Sequence, residues 1–248
     1  MRIALLSDIH GNLAALEAVA QDLQRRSVDA VINLGDSLSG PLLPLETAQF
    51  LMAQDWLHLA GNHERQLLTA TADESEPSDT YARSMLTQQE LGWIAALRPR
   101  CDYNSEILLC HGTPRHDKEY LLETVEHGRT RLATPSEIGE RLGVVSATLI
   151  ACGHTHVPRS VRTERGQLIV NPGSVGLPAY DDDNPCFHVV ENGSPDARYG
   201  IVERRGGGWI AELIAVPYPH AAMAQLARQR QRADWAVALM TGYRNPAP

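Results

Sequence analysis

Residues 2–12 read Arg2-Ile3-Ala4-Leu5-Leu6-Ser7-Asp8-Ile9-His10-Gly11-Asn12. The first half is apolar and short, which fits a buried strand. The second half sets a carboxylate and an imidazole two residues apart, then a glycine that permits a tight turn. On extended chain the i, i+2 spacing puts Asp8 and His10 on the same side. Asn12 is placed to cap a helix, and Leu13, Leu16, Ala20 and Leu23 form one helical stripe after it. Strand, polar turn, helix is the repeating unit of an α/β fold.

The unit recurs along the chain. Ala30-Val31-Ile32-Asn33-Leu34 runs into Gly35-Asp36. Trp56-Leu57-His58-Leu59 is followed by Gly61-Asn62-His63-Glu64, and Ile107-Leu108-Leu109-Cys110 by His111-Gly112. Thr148-Leu149-Ile150-Ala151 leads to Gly153-His154-Thr155-His156, and Gln167-Leu168-Ile169-Val170 to Asn171. Thr87-Gln88-Gln89-Glu90 has capping-box spacing ahead of Leu91, Ile94 and Leu97, with Pro99 closing that helix. Thr134-Pro135-Ser136-Glu137 repeats the pattern ahead of Ile138 and Leu142. Asp73 to Thr80, polar and Pro-containing, reads as an exposed loop. Past Pro185 the pattern predicts antiparallel strands at Phe187–Glu191, Tyr199–Arg204 and Trp209–Val216. Ala221–Met240 reads as one Arg/Gln-rich helix, anchored by Leu226, Trp235 and Leu239, with a solvated face covering a core edge. With no repeat and no linker, residues 1–248 are expected to form a single α/β domain of layered strands and helices.

In an open α/β sheet, ligands collect beyond the carboxyl ends of the strands. Asp8, His10, Asp36, Asn62, His63, His111, His154 and His156 all fall there. Five of the ten histidines are in this set, each within three positions of a glycine. Uncompensated, such a cluster is costly to bury, and divalent metals resolve it. The set is too large for one tetrahedral ion and has no thiolate. Carboxylate, imidazole and amide ligands suit Mn, Fe, Zn, Co or Ni better than Mg or Ca, with Mn favoured. Two ions about 3.5–4 Å apart, bridged by a carboxylate, use the whole set.

These blocks, in this order, resemble the calcineurin-like metallophosphoesterases. The loop Asn171-Pro172-Gly173-Ser174-Val175-Gly176 extends the likeness to the small bacterial branch, over roughly residues 1–178. The resemblance implies a layered β-sandwich flanked by helices. Residues 1–178 would carry the motifs, and 179–248 would supply covering strands and a terminal helix. It implies that Asp8, His10 and His156 hold one metal ion, that Asn62, His111 and His154 hold the other, and that Asp36 bridges them. His63 would face the leaving group without ligating. A bridging water, made acidic by the ions, would attack phosphorus in line with the leaving oxygen. His63 would protonate the departing alkoxide. Two family features are absent. No Asp-Arg pair follows Gly35-Asp36, where the chain reads Ser37-Leu38-Ser39-Gly40-Pro41, and Ala179 rather than Arg follows Pro178. The first departure, with the likeness to the bacterial branch, turns the reading from protein phosphatase toward phosphodiesterase, ahead of monoesterase; the second leaves a substrate contact of that branch unfilled.

Asn171, Ser174 and His116 are candidates to line the substrate side. Arg115 and Lys118 fit a solvated loop first, with contact to phosphate as the alternative. The net charge of −8 argues against coating long nucleic acid, and 5% aromatics argue against a stacking platform for single strands. A nuclease is therefore disfavoured, and a small phosphoester, a nucleotide among the candidates, is the expected partner. A non-catalytic scaffold of the same fold is the other alternative, but no ligand position is lost here. Cys101, Cys110, Cys152 and Cys186 form no C-x-x-C pair and read as buried thiols of a reducing cytoplasm. No apolar window is long enough to span a membrane. The sequence leaves the oligomeric state open.

Overall fold

The apolar run at the start of the chain is a strand buried on both faces, and its alternation builds two cores at once. The computed structural model describes residues 1–69 and 76–244. In chain order the elements are β1 (Arg2–Leu6), α1 (Leu13–Leu23), β2 (Ala30–Asn33), α2 (Pro44–Met52), β3 (Leu57–His58), α3 (Asn62–Thr69), α4 (Pro77–Met85) and α5 (Gln88–Ala95). Then come β4 (Arg100–Asn104), β5 (Ile107–Cys110), β6 (Glu123–Glu126), β7 (Arg129–Leu132), α6 (Pro135–Leu142), β8 (Leu149–Ala151), β9 (Arg159–Arg162) and β10 (Leu168–Asn171). The rest is β11 (Ala179–Asp182), β12 (His188–Glu191), β13 (Ala197–Arg205), β14 (Gly208–Val216), α7 (His220–Gln229) and α8 (Ala233–Thr241).

One five-stranded sheet runs β14-β13-β1-β2-β3 and a second runs β4-β5-β8-β10-β9. In each, the three strands that lead to the predicted blocks are parallel neighbours: β1, β2 and β3 in one, β5, β8 and β10 in the other. The sheets face each other as a sandwich. Ile3, Leu5, Ile32 and Leu34 meet Ile107, Leu109, Leu149 and Val170 between them. Side chains alternate along a strand. Ala4 and Leu6 therefore point outward, onto Leu16, Val19 and Leu23 of α1. Leu108 and Cys110 likewise point outward, onto Ile138 and Leu142 of α6. Each Leu or Ile so buried contributes roughly 1.5–3 kcal/mol. A third sheet, of four strands in the order β11-β12-β7-β6, completes the α/β domain, and α7 and α8 pack over Leu42, Leu177 and Ala179.

The three expected helix starts form. Asn12 accepts from Ala15 N, and Thr87 and Thr134 make reciprocal capping boxes with Glu90 and Glu137. Two expectations are corrected. Residues 77–80 are not loop but the first turn of α4, because Ser78 and Asp79 find buried partners there; residues 73–75 lie outside the described residues. The tail is two helices, broken at Arg230–Arg232 where Gln231 takes a φ of 59°. The cysteines also divide: Cys110 and Cys152 are buried, Cys101 is partly so, and Cys186 is exposed in the β11–β12 turn.

Candidate metal centre

The site lies where the parallel strands of both sheets run out. Backbone bonds continue between the loops after the strands end: Asp8 N donates to Gly35 O at 3.0 Å and His10 N to Asp36 O at 3.1 Å. Asp8, His10, Asp36, His154 and His156 all have φ between 53° and 67°. This left-handed region is sparsely occupied by residues with side chains, and strain of this kind clusters at functional sites. Asp8 and His10 thus reach the same place through two left-handed turns, not along the extended chain that their spacing suggested. Gly61 lets the loops close: a Cβ there would stand 2.2 Å from Asp36 Oδ1.

Two groups of side chains converge. Asp8, His10 and His156 form one, and Asp36, His111 and His154 the other; in each, the candidate ligand atoms lie within 4.8 Å of one another. Every imidazole is oriented by its second nitrogen. His10 donates from Nδ1 to Ser39 O at 2.8 Å, His156 from Nδ1 to Leu177 O at 2.7 Å, and His111 from Nδ1 to Leu34 O at 2.9 Å. His154 uses Nε2, to Lys118 O at 3.1 Å. A carbonyl that fixes the tautomer in this way leaves a lone pair aimed inward. Burial, helped by neighbouring imidazoles, pushes His10 and His154 down to about 3, so both are neutral.

The chemistry of these residues fits divalent cations. The Nε2 atoms of His10 and His156 face each other at 3.1 Å, on the sides away from the carbonyls that hold their Nδ1 atoms. Asp8 Oδ1, Asn62 Oδ1 and His111 Nε2 are buried without a hydrogen-bond partner among the described residues. Asn62 spends its amide N–H on Gln66, which leaves its oxygen for the site. His111 Nε2 sits 2.9 Å from Asp36 Oδ2, but not in line for a hydrogen bond. No lysine or arginine lies within 4 Å of Asp8 or Asp36 among the described residues; the neighbours there are His111 and His156. Burial opposes both charges, yet His156 beside Asp8 and His111 beside Asp36 hold the carboxyls below their usual range.

His63 opens α3 beside these groups, its ring 5.4 Å from that of His10. Its backbone N–H donates to Asp36 Oδ1 and its Nδ1 to Asp79 Oδ1, both at 2.9 Å. Burial alone would lower its pKa, but Asp36 and Asp79 outweigh it and raise it to about 10. Sequence reasoning missed Asp79, which reaches His63 from α4. It also gave Glu64 no role. That buried carboxylate accepts from Gly61 N, Asp36 N and Ser37 N at 2.7–2.8 Å and so joins the β2 loop to the start of α3. The Glu three residues after Gly61 was the one available signal.

The remaining candidates sit further out. Asn171 is buried and donates to Gly153 O and Thr155 Oγ1, which holds the loop that bears His154. Ser174 Oγ donates to Asp8 O and accepts from Leu177 N. Neither lines the cleft. His116 is 62% exposed and lines a neighbouring cavity. Cys110 and Cys152 face away from the site, and burial pushes the Cys110 thiol up to about 12. The cleft over both groups, about 340 Å³, is walled by Lys118, Tyr180, the acidic run Asp181–Asp183, and Arg232, Asp234, Trp235 and Arg244 from the C-terminal region.

Residues 1–193 match the Calcineurin-like phosphoesterase superfamily domain. This chain belongs to that superfamily. The superfamily is one of divalent-metal-dependent phosphoesterases, and the chain offers two groups of residues suited to such ions. An uncharacterized protein of Methanocaldococcus jannaschii is 25% identical over an alignment of 249 positions, which covers 86% of this chain and 96% of that one. The crystal structure of a metallophosphoesterase from Sphaerobacter thermophilus superposes with a TM-score of 0.77 at 24% identity, covering 98% of this chain and 99% of that one. A hypothetical protein of Pyrococcus horikoshii gives 0.74 at 16% identity, with the same coverage. At these identities the two structures show the fold alone.

Proposed function

We propose that the chain is a dinuclear metal-dependent phosphodiesterase acting on a small substrate. The observation that carries this is the pair of converging ligand groups with inward lone pairs and orphaned buried oxygens. Asp8, His10 and His156 would hold one ion and Asn62, His111 and His154 the other, with Asp36 shared between them. Two bound divalent ions would supply Lewis acidity and a water acidic enough to attack phosphorus near neutral pH. The mixed oxygen and imidazole donors suit Mn, Fe, Zn, Co or Ni, of which Mn is the first candidate. The chain supplies the rest. His63 presents Nε2 toward the leaving oxygen while Asp79 holds Nδ1, so the imidazole can deliver a proton to the alkoxide. The cleft's guanidinium groups are already committed: Arg232 to Asp234, and Arg244 to Asp181 and Asp234. With those charges spent and an acidic run on the wall, a singly charged diester is better matched than a monoester dianion. Residues 1–178 carry the chemistry, and 179–248 shape the cleft.

Buried thiols suit a cytoplasmic protein. No described helix is long and apolar enough to cross a membrane. The test of function is hydrolysis of bis-p-nitrophenyl phosphate against p-nitrophenyl phosphate, with Mn and with chelator, beside metal analysis. Faster diester turnover, two metals per chain and loss on chelation are expected. Inactivity on both esters with two metals bound would replace this reading with a scaffold role.

A further inference from the structure

A second cavity, of about 380 Å³, adjoins the metal cleft. Its wall carries two carboxylates, Glu119 and Glu123, and two cations, Lys118 and Arg141. Each carboxylate has an arginine partner that does not line the cavity, close for Glu123 and looser for Glu119. Arg159 grips Glu123 at 2.7 and 3.2 Å, and Arg115 stands 3.6 Å from Glu119. The cations are not neutralised. Arg141 donates only to the Glu123 carbonyl and the Thr124 hydroxyl, each at 2.8 Å. Among the described residues no carboxylate lies within 4 Å of Lys118 or Arg141. The acidic run Asp181–Asp183 faces the metal cleft and does not line this cavity.

Lys118 stands where the two spaces meet and lines both. It is the single lysine among 22 basic residues. Its loop is fixed from three directions. Arg65 binds Asp117 in bidentate fashion at 2.7 and 2.9 Å. His154 Nε2 holds the Lys118 carbonyl. Gly112 sits so tightly within the turn that a Cβ would come 2.6 Å from the carbonyls of His116 and Asp117. A braced loop that presents an ammonium, in one cavity with a guanidinium, neither with a carboxylate partner among the described residues, suits an anion.

We infer that Lys118 and Arg141 form an anion subsite beside the metal centre, which takes a second phosphate of the substrate. The substrate class is then a small phosphoester that carries another phosphate on the part of the molecule away from the scissile bond. The word substrate rests on the phosphoesterase reading; the subsite does not.

The experiment compares thymidine 5′-(p-nitrophenyl phosphate) with the same diester bearing a 3′-phosphate. The metal-loaded protein should favour the 3′-phosphorylated ester in kcat/KM by at least about tenfold, the effect of one charge-assisted hydrogen bond. Lys118→Met and Arg141→Gln should each shrink that ratio toward one, and Arg141→Lys should keep part of it. No preference in the wild type overturns the subsite, as do equal losses on both esters. If neither ester is hydrolysed, the phosphoesterase reading fails and calorimetry with inorganic phosphate tests the subsite directly. The wild type should then bind one more equivalent of phosphate than either charge-removing variant. The same stoichiometry and affinity in all three would overturn it.

Discussion

His63 and Asp79 are bonded at 2.9 Å although 16 residues separate them, with Asp79 2% exposed. A carboxylate that holds Nδ1 leaves Nε2 directed at the reacting centre, so the pair acts as one unit. His63→Ala should keep both metals yet lose about 10²–10⁴-fold on esters with poor leaving groups. Asp79→Asn should lose part of that and lose little on p-nitrophenolate, which needs no proton. Turnover across a leaving-group series checks both, and equal losses along the series would remove the pair from proton delivery. His58 gives a contrast away from the ligands. It packs between Trp56 and Trp93, and burial lowers its pKa from 6.5 to about 4 against a weaker opposing bond to Leu51. Between those values the unfolded chain takes up a proton that the folded one refuses. Stability is therefore lost as pH falls through 6.5. His58→Phe should lose less stability than the wild type from pH 7 to pH 5 in urea unfolding. Identical losses would show that this histidine is not buried neutral.

Elements differ in how far the sequence reveals them, and the reason is which partner satisfies each residue. β1, β2, β5, β8 and β10 are legible because apolar cores lie on both sides of their sheets, so the strands read as continuous Leu, Ile and Val. The metal-ligand candidates are legible because they stand at those strand ends beside glycines that the tight turns demand. β4, β9 and three strands of the third sheet, β6, β7 and β11, are not, since their alternation is largely polar and half exposed; β12, expected at Phe187–Glu191, is the exception there. α4 is the instructive failure. Its buried residues include Ser78 and Asp79, and their partners are side chains 154 and 16 positions away. Local propensity carries no trace of either. Arg232, at the start of α8, donates to Ser78 Oγ at 2.8 Å and is itself held by Asp234 and the Trp235 ring. The C-terminal helix thereby fixes the element that positions His63. Arg232→Ala should lower kcat about tenfold on poor leaving groups with metal content intact, since a small misplacement of a catalytic group can cost up to about 10²-fold. A change in KM alone, uniform across leaving groups, would assign Arg232 to binding instead.

At the scale of the whole molecule, the candidate ligands come from loops of both sheets and span residues 8 to 156, so an ion held between them ties the halves of the sandwich together. The charge balance points the same way. A chain of net charge −8 buries Asp8 and Asp36 with no lysine or arginine in contact among the described residues, and two divalent ions would bring about +4 to that edge. The ligand set exists only in the folded state, so metal binding adds directly to stability. At free metal about a thousandfold above Kd, each site contributes about 4 kcal/mol. For a domain of this size 1 kcal/mol moves Tm by about 2–4 °C, so each occupied site should raise Tm by about 8–16 °C. Chelation should therefore lower the melting temperature in calorimetry, and Mn should restore it. Asp36→Asn should lose most of the Mn-dependent rise if, as proposed, that carboxylate serves both ions, whereas His10→Gln should lose about half. A full Mn-dependent shift in Asp36→Asn would rule out Asp36 as the shared ligand, and a melting temperature indifferent to chelator would rule out the metal centre itself.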